Sequence, residues 1–370
     1  MKEMQPAADI EWIDILQCPI SKKNLRALSV AEIEELQTRA AAGQLWHCNG
    51  TPMNGKIEKG LITTDGAYIY PIVHDVIELM QEYAIVKAMD KIVKSTFSDD
   101  KLLVKDFYDN TGWFADDDGH YGDAIIFEDL RPFAQEYIKR CHDRVNRFLP
   151  PSGTYMLDAA SGALQSPDYL QYSAGYQYRV CVDFSRRALL ECKKKLGAKA
   201  LCIQADMTKM PFKDGVMDGF VSLNTIYHIP KDEQVTAIKE LYRVLKQGGK
   251  GVVVYEWFKH SPWMNIALLP FRGFVFIKNR IMDSMARLAG KKDAGRRLYY
   301  YAHSPAYFKK QLPPYSLKVW RSISVHFMRY YLHAPLFGKQ ILQWIYNKEE
   351  KDPATCGLKG EYPMLVFEKK

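Results

Sequence analysis

The spacing of apolar positions changes character along the chain and divides it into three stretches. Up to about Ala84, short apolar runs are punctuated by turn-forming residues. Ile13, Ile15 and Leu16 lead into Cys18-Pro19, and Ala27–Leu36 repeats with helical period, leaving Glu32, Glu34 and Glu35 outward. Ala67–Val73 then reads as a short strand, so residues 1–84 are expected to form a small α+β head. Tyr83–Asp100 reads as a charged helix. Beyond Phe107-Tyr-Asp-Asn-Thr-Gly-Trp113 and the acidic Asp116–Asp118, Phe127–Leu149 carries a 3.6-residue apolar stripe that Pro150-Pro151 stops. Residues 85–150 are therefore read as a helical linker with a candidate lid.

From Thr154 apolar strands alternate with helices. Tyr155–Asp158, Tyr178–Asp183, Ala200–Gln204, Gly215–Leu223 and Lys250–Tyr255 read as strands, with a helix over Lys231–Lys246 stopped at Gly248-Gly249. Leu317–Val325 and Pro363–Phe367 are further strand candidates. Such alternation predicts an α/β fold, a doubly wound parallel sheet covered on both faces, over residues 151–370.

In such sheets ligands bind beyond the carboxyl ends of the strands. Asp158, Asp183, Asp206 and Asn224 fall there. Any one Asp is as readily a loop or helix cap, but four at successive strand ends point to a nucleoside site. The turn after the first strand, Asp158-Ala-Ala-Ser-Gly162, is built of small residues that let the backbone approach a ligand. Asp183, one strand–helix unit later, suits the two hydroxyls of a ribose. Ala163–Pro167 lacks the third glycine and the clean helix start that a pyrophosphate requires, so a phosphate-free nucleoside fits better.

Composition excludes more than it identifies. With 370 residues, 47% hydrophobic and 25% charged, the chain is neither disordered nor fibrous. The apolar Pro262–Ile277 is broken by Pro270, Arg272 and Gly273 and is too short for a membrane span. The N-terminus shows no apolar signal core, and the seven scattered cysteines read as free thiols, so a cytoplasmic protein is expected. The net charge of +8 is local: Lys259–Arg297 holds nine Lys or Arg against Asp283 and Asp293, interleaved with aromatic and aliphatic residues. A basic, apolar insertion at about 259–300 suits a lipophilic or anionic substrate, peripheral membrane contact or, as a rival, RNA. The plain alternative is a basic-edged lid packed on the core.

Met156–Trp257 resembles the class I S-adenosylmethionine-dependent methyltransferases. Met156-Leu-Asp-Ala-Ala-Ser-Gly162 is similar to that family's first motif, with Ala160 and Leu164 where glycines are common. Val182-Asp183-Phe184-Ser185 resembles the second, Gln204–Phe212 the third, Asp218–Asn224 the fourth, and Leu241–Gly249 the approach to the fifth strand. The resemblance implies a Rossmann-like seven-stranded sheet and S-adenosyl-L-methionine as cofactor. Asp158, Ala160, Gly162, Asp183, Phe184, Asp206, Met207 and Asn224 would contact it, with Tyr108, and beside it Trp113, closing over it and Arg131 near its carboxylate or an acidic substrate. The head resembles zinc-ribbon proteins that activate methyltransferases. Its pairs read Cys18-Pro-Ile-Ser21 and Cys48-Asn-Gly-Thr51, with hydroxyls where second thiols belong, so a degenerate ribbon without metal is expected.

Tyr227 and His228 follow the fourth strand, and Glu256 ends the fifth; these are the candidate catalytic residues, weighed against structural roles for each. The expected activity is methyl transfer to a small or lipophilic metabolite, at oxygen, with carbon or nitrogen as the alternative acceptor atoms. RNA methylation is the alternative from the same chemistry, although Asn224-Thr-Ile-Tyr227 departs from the Pro-Pro-Tyr pattern of base-amine methylation. A non-catalytic nucleoside-binding protein is the alternative from another class.

Overall fold

A computed structural model describes residues 11–92, 97–117, 119–276 and 298–370. Its strands are β1 (Leu25–Ala27), β2 (Trp46–His47), β3 (Gly60–Thr63), β4 (Ile69–Val73), β5 (Val76–Glu78), β6 (Ile85–Val86), β7 (Gly153–Ala159), β8 (Tyr176–Asp183), β9 (Ala200–Gln204), β10 (Met217–Leu223), β11 (Leu245–Val254), β12 (Tyr315–Arg321) and β13 (Tyr362–Glu368). The order β9-β8-β7-β10-β11-β13-β12 reproduces the expected seven-stranded, doubly wound sheet. β7 to β11 run parallel, while β13 lies antiparallel to both β11 and β12. The central strands are buried on both faces, as the long apolar runs of a parallel sheet require.

The head continues this sheet. β5 pairs parallel with β9, setting Val76, Ile77 and Glu78 beside Cys202, Ile203 and Gln204, and β4, β3 and β1 follow outward. One apolar cluster runs from Leu16, Cys18 and Tyr70 of the head to Phe212 and Phe220 of the core. Gln17 N donates to Pro211 O at 2.9 Å across the same join. Within the head, the helix Val30–Ala41 starts at a capping box formed by Ser29 and Glu32. Cys18 and Cys48 are buried; Cys18 Sγ lies 3.1 Å from Tyr70 Oη, and burial pushes the Cys48 thiol up to about 12. Among the described residues no cluster of His, Cys, Asp and Glu is arranged to hold a metal. Nor does any helix among them have the length and apolarity to cross a membrane.

Three sequence expectations shift. The helix expected from Tyr83 is replaced by β6, whose buried Ile85 and Val86 pair with His47 and Trp46; pairing and burial of two β-branched residues override the local charge pattern. Gly248-Gly249 does not end a helix but lies inside β11, where Gly248 adopts a φ of 74° at an irregularity in the β10 register. The long helix expected from Phe127 is confined to Pro132–Asn146, with a short helix over Gly122–Phe127 before it. Much of the basic insertion, residues 277–297, lies outside the described residues.

Candidate active site

The carboxyl ends of β7 to β11 open onto one cavity of about 1030 Å³. Asp158, Ala160, Gly162, Asp183, Phe184, Asp206, Met207, Asn224, Tyr227, His228, Glu256 and Tyr108 all line it. Ala160, Gly162 and Leu164 have φ of 54°, 54° and 50°. The turn thus keeps the left-handed geometry of a glycine loop even where alanine and leucine replace glycine, a strain tolerated at binding turns. Asp183 grips that turn: its Oδ2 accepts from Gly162 N at 2.9 Å and its Oδ1 from Ser185 N at 2.8 Å. Burial pushes its carboxyl up to about 6, against those two amides, and each oxygen retains capacity to accept from a diol.

The other strand-end carboxylates are already paired. Asp158 Oδ2 accepts from Arg179 Nε at 3.0 Å and Nη2 at 2.5 Å, and Arg179 reaches it from the neighbouring β8. Asp206 Oδ2 lies 2.7 Å from Lys101 Nζ, while Oδ1 accepts from Thr208 N and Oγ1. Lys101 also lies 2.5 Å from Glu233, so this helix of the linker, Asp99–Phe107, is pinned to the third motif by a buried cation.

The same helix leads into the lid. Tyr108 stacks on Trp113 with centroids 5.2 Å apart, and its edge meets His228 at 6.3 Å. A Cβ built on Gly162 would stand 2.4 Å from Trp113 Cη2, so the indole lies directly on the first-motif turn. Arg131, by contrast, does not line the cavity; it pairs with Asp129 at 2.6 Å and donates to Leu332 O and Met328 O.

His228 Nδ1 lies 2.8 Å from Tyr299 O and must donate to it, which leaves Nε2 as the basic nitrogen. Burial lowers the ring to about 4, so it is neutral at pH 7. Tyr227 packs edge-on against Tyr255 and Phe258. Glu256 meets residues that strand periodicity alone did not bring to the site. Trp257 N donates to Glu361 O at 2.8 Å, because β13 runs antiparallel to β11 and starts where β11 ends. Glu256 adjoins Glu361 and Tyr362, and burial with the neighbouring carboxyl pushes Glu256 well above the usual range and Glu361 to about 7. Across the cavity Gln165 Nε2 donates to both Asp123 and Glu128, and burial beside Glu128 raises Asp123 to about 7.

Residues 157–253 match the family model described as Methyltransferase domain. This segment is a methyltransferase domain. Similar proteins include the demethylmenaquinone methyltransferase of Streptomyces avermitilis, 35% identical over 117 residues, 32% of this chain and 46% of that one. The 24-methylenesterol C-methyltransferase 2 of Arabidopsis thaliana is 46% identical over 66 residues, 17% of this chain and 18% of that one. Probable tRNA methyltransferase 9B of Mus musculus is 27% identical over 135 residues, 36% and 28% of the two chains. The chain thus spans less than half the length of each of these relatives.

The cofactor of this methyltransferase domain is S-adenosylmethionine, and the residues present fit it. The first-motif turn is left-handed, Asp183 stands at the end of β8, and Asn224 Oδ1 and Trp113 Nε1 are buried without partners. Lys101, Arg179, Glu361 and Arg321, with Asp123 and Glu128, line the cavity without having been marked by the sequence. Only Glu361 left a signal, since an antiparallel last strand must begin beside the carboxyl end of the strand it pairs with.

Proposed function

We propose that this protein transfers a methyl group from S-adenosylmethionine to a hydroxyl of a small or lipophilic metabolite. Asp183 and Phe184 would hold the ribose, Asp206 and Met207 the adenine, and Asp158, Ala160, Gly162 and Asn224 the amino-acid end. When bound, the cofactor supplies an electrophilic methyl group on sulfur. The chain's own residues orient the acceptor, exclude water and take up a proton. Tyr108 and Trp113 cover the turn, and Tyr227 and His228 line the approach to the acceptor side. His228, neutral and with Nε2 basic, is suited to hold a hydroxyl in place, and Glu256 belongs to the carboxyl pair that can relay its proton.

The observation that carries this reading is the enclosure. A single cavity continues from the cofactor residues past His228 to Glu256, between aromatic walls that include Phe258, Phe271 and Tyr300. A metabolite with an apolar body fits such a space, and the likeness to quinone and sterol methyltransferases supports that class. The likeness to a tRNA methyltransferase keeps RNA as the second reading. Calorimetric titration with S-adenosylhomocysteine tests the cofactor, with one-to-one binding expected; absence of binding to either that product or S-adenosylmethionine removes the enzyme reading. Salt-sensitive retention on RNA, with no methylation of small hydroxylated acceptors, replaces the first reading by the second.

A further inference from the structure

Beyond Glu256 the cavity ends in a group of buried polar residues that the cofactor does not need. At the end of β12 the register slips: Val319 faces Pro363 and Arg321 faces Tyr362, so Trp320 is an extra residue. Successive strand residues normally point to opposite faces, but the bulge turns both Trp320 and Arg321 onto the cavity. The Arg321 guanidinium lies over the Tyr362 ring at 4.4 Å and the Trp320 ring at 5.0 Å. It is 3% exposed and forms no ion pair among the described residues. Its Nη1 lies 3.9 Å from Met328 Sδ, its side chain is also drawn to Tyr362, and its Nε has no partner.

A buried guanidinium with an unpaired donor is costly, because its desolvation is repaid only by charge or hydrogen bonds. Facing it are Glu361 and Glu256, two adjoining buried carboxyls, and the Oε2 of Glu361 has no partner. Beside Trp320 Nε1, likewise without a partner, the subsite therefore presents one orphan charged donor, Arg321 Nε, and one orphan carboxylate oxygen. A carboxylate ligand would answer the donor but add a third acid beside Glu256 and Glu361. An ammonium would answer the carboxylate and be repelled by Arg321. A hydroxyl answers both, donating to Glu361 and accepting from Arg321.

We propose that Arg321 and Glu361 form the acceptor subsite and take an acidic hydroxyl, a phenol or an enol, carried on an apolar body. In the step they support, the acceptor's O–H bond breaks and its electron pair stays on oxygen. The proton forms a bond to Glu361 Oε2. Arg321 Nε holds the oxygen as its negative charge develops, which prepares the acceptor for methylation. Trp320, Tyr362 and Phe271 enclose the body of the molecule. This assignment rests on the methyl-transfer reading above, but its residues lie outside the cofactor motifs and are testable apart from it.

The test uses the full chain and 4-nitrophenol, whose phenolate absorbs at longer wavelength than the neutral phenol. Wild type is expected to bind it saturably with the phenolate spectrum. Arg321→Met is expected to lower affinity by about tenfold or more and to lose that spectrum, as removal of a charged hydrogen bond should. Arg321→Lys should retain part of both. Benzoate should bind wild type weakly and gain about tenfold in Glu361→Gln, where the competing negative charge is gone. Calorimetry with S-adenosylhomocysteine, expected to be unchanged in all three variants, separates this assignment from the cofactor reading and reports folding. Binding of the neutral phenol by wild type, equal binding by Arg321→Met, or benzoate binding as tight as the phenol's would each overturn it.

Discussion

At the scale of single residues, the site turns on how each strand-end carboxylate is paired. Asp183 is the one held by backbone amides alone, so it is the one whose charge should govern ribose binding. Asp183→Asn is expected to weaken S-adenosylhomocysteine by about tenfold to a hundredfold, the value of one or two charge-assisted hydrogen bonds, read by calorimetry. Because burial lifts Asp183 to about 6, wild-type affinity should also fall as pH drops below that value, and the Asn variant should show no such fall. Folding responds with the opposite sign. A carboxyl raised above its ordinary value of 3.8 favours the folded state when protonated, so its contribution is lost as pH rises through about 6. Ala160, held at a φ of 54°, gives a second outcome: Ala160→Gly should raise unfolding free energy by about 1 kcal/mol in a denaturant titration. The four strand-end positions were legible in the sequence because strand length and period fix where a parallel strand stops. Arg179 and Lys101 were not, since their partners lie 21 and 105 positions away and only tertiary folding brings them together.

Among the elements, the linker helix Asp99–Phe107 does most to join lid and sheet. Lys101 is 3% exposed between Asp206 and Glu233, and removing a buried cation leaves two carboxylates without their counter-charge. Lys101→Met is expected to cost about 3 kcal/mol or more in unfolding free energy. A change near zero would mean that Thr208 alone satisfies Asp206. The β12–β13 pair shows what sequence reading captures at this scale. Both strands were visible in the sequence, with Leu317–Val325 running four residues past the observed end of β12 at Arg321, but the bulge at Trp320 was not, because a bulge is a property of the register between two strands. The same limit explains Tyr83–Val86, where a partner strand across the head decides the conformation.

For the whole molecule, residues of the head and of the sheet share one apolar core. The cap that follows β11 bears on where the protein works. Ile266, Leu269, Phe274 and Phe276 are 69%, 62%, 56% and 61% exposed, and Arg272 lies among them. Vesicles containing anionic lipid are expected to retain the protein, more weakly as salt rises, and Ile266→Ser with Leu269→Ser should reduce retention about tenfold or more. Equal retention by the double variant would assign the contact to other residues.

The parallel ladder between β5 and β9 has a consequence for how this chain can be divided. β9 lacks a partner on that side from the methyltransferase domain itself, and Val76–Glu78 supplies it. Without the head, the backbone amides and carbonyls of Ala200–Gln204 would form an open border on a strand that is wholly buried in the full chain, the kind that templates a second chain. The head thus acts as an internal selvedge, and a version of the protein trimmed to residues 151–370 should self-associate where the full chain does not. Light scattering on the two proteins at equal concentration reads the difference.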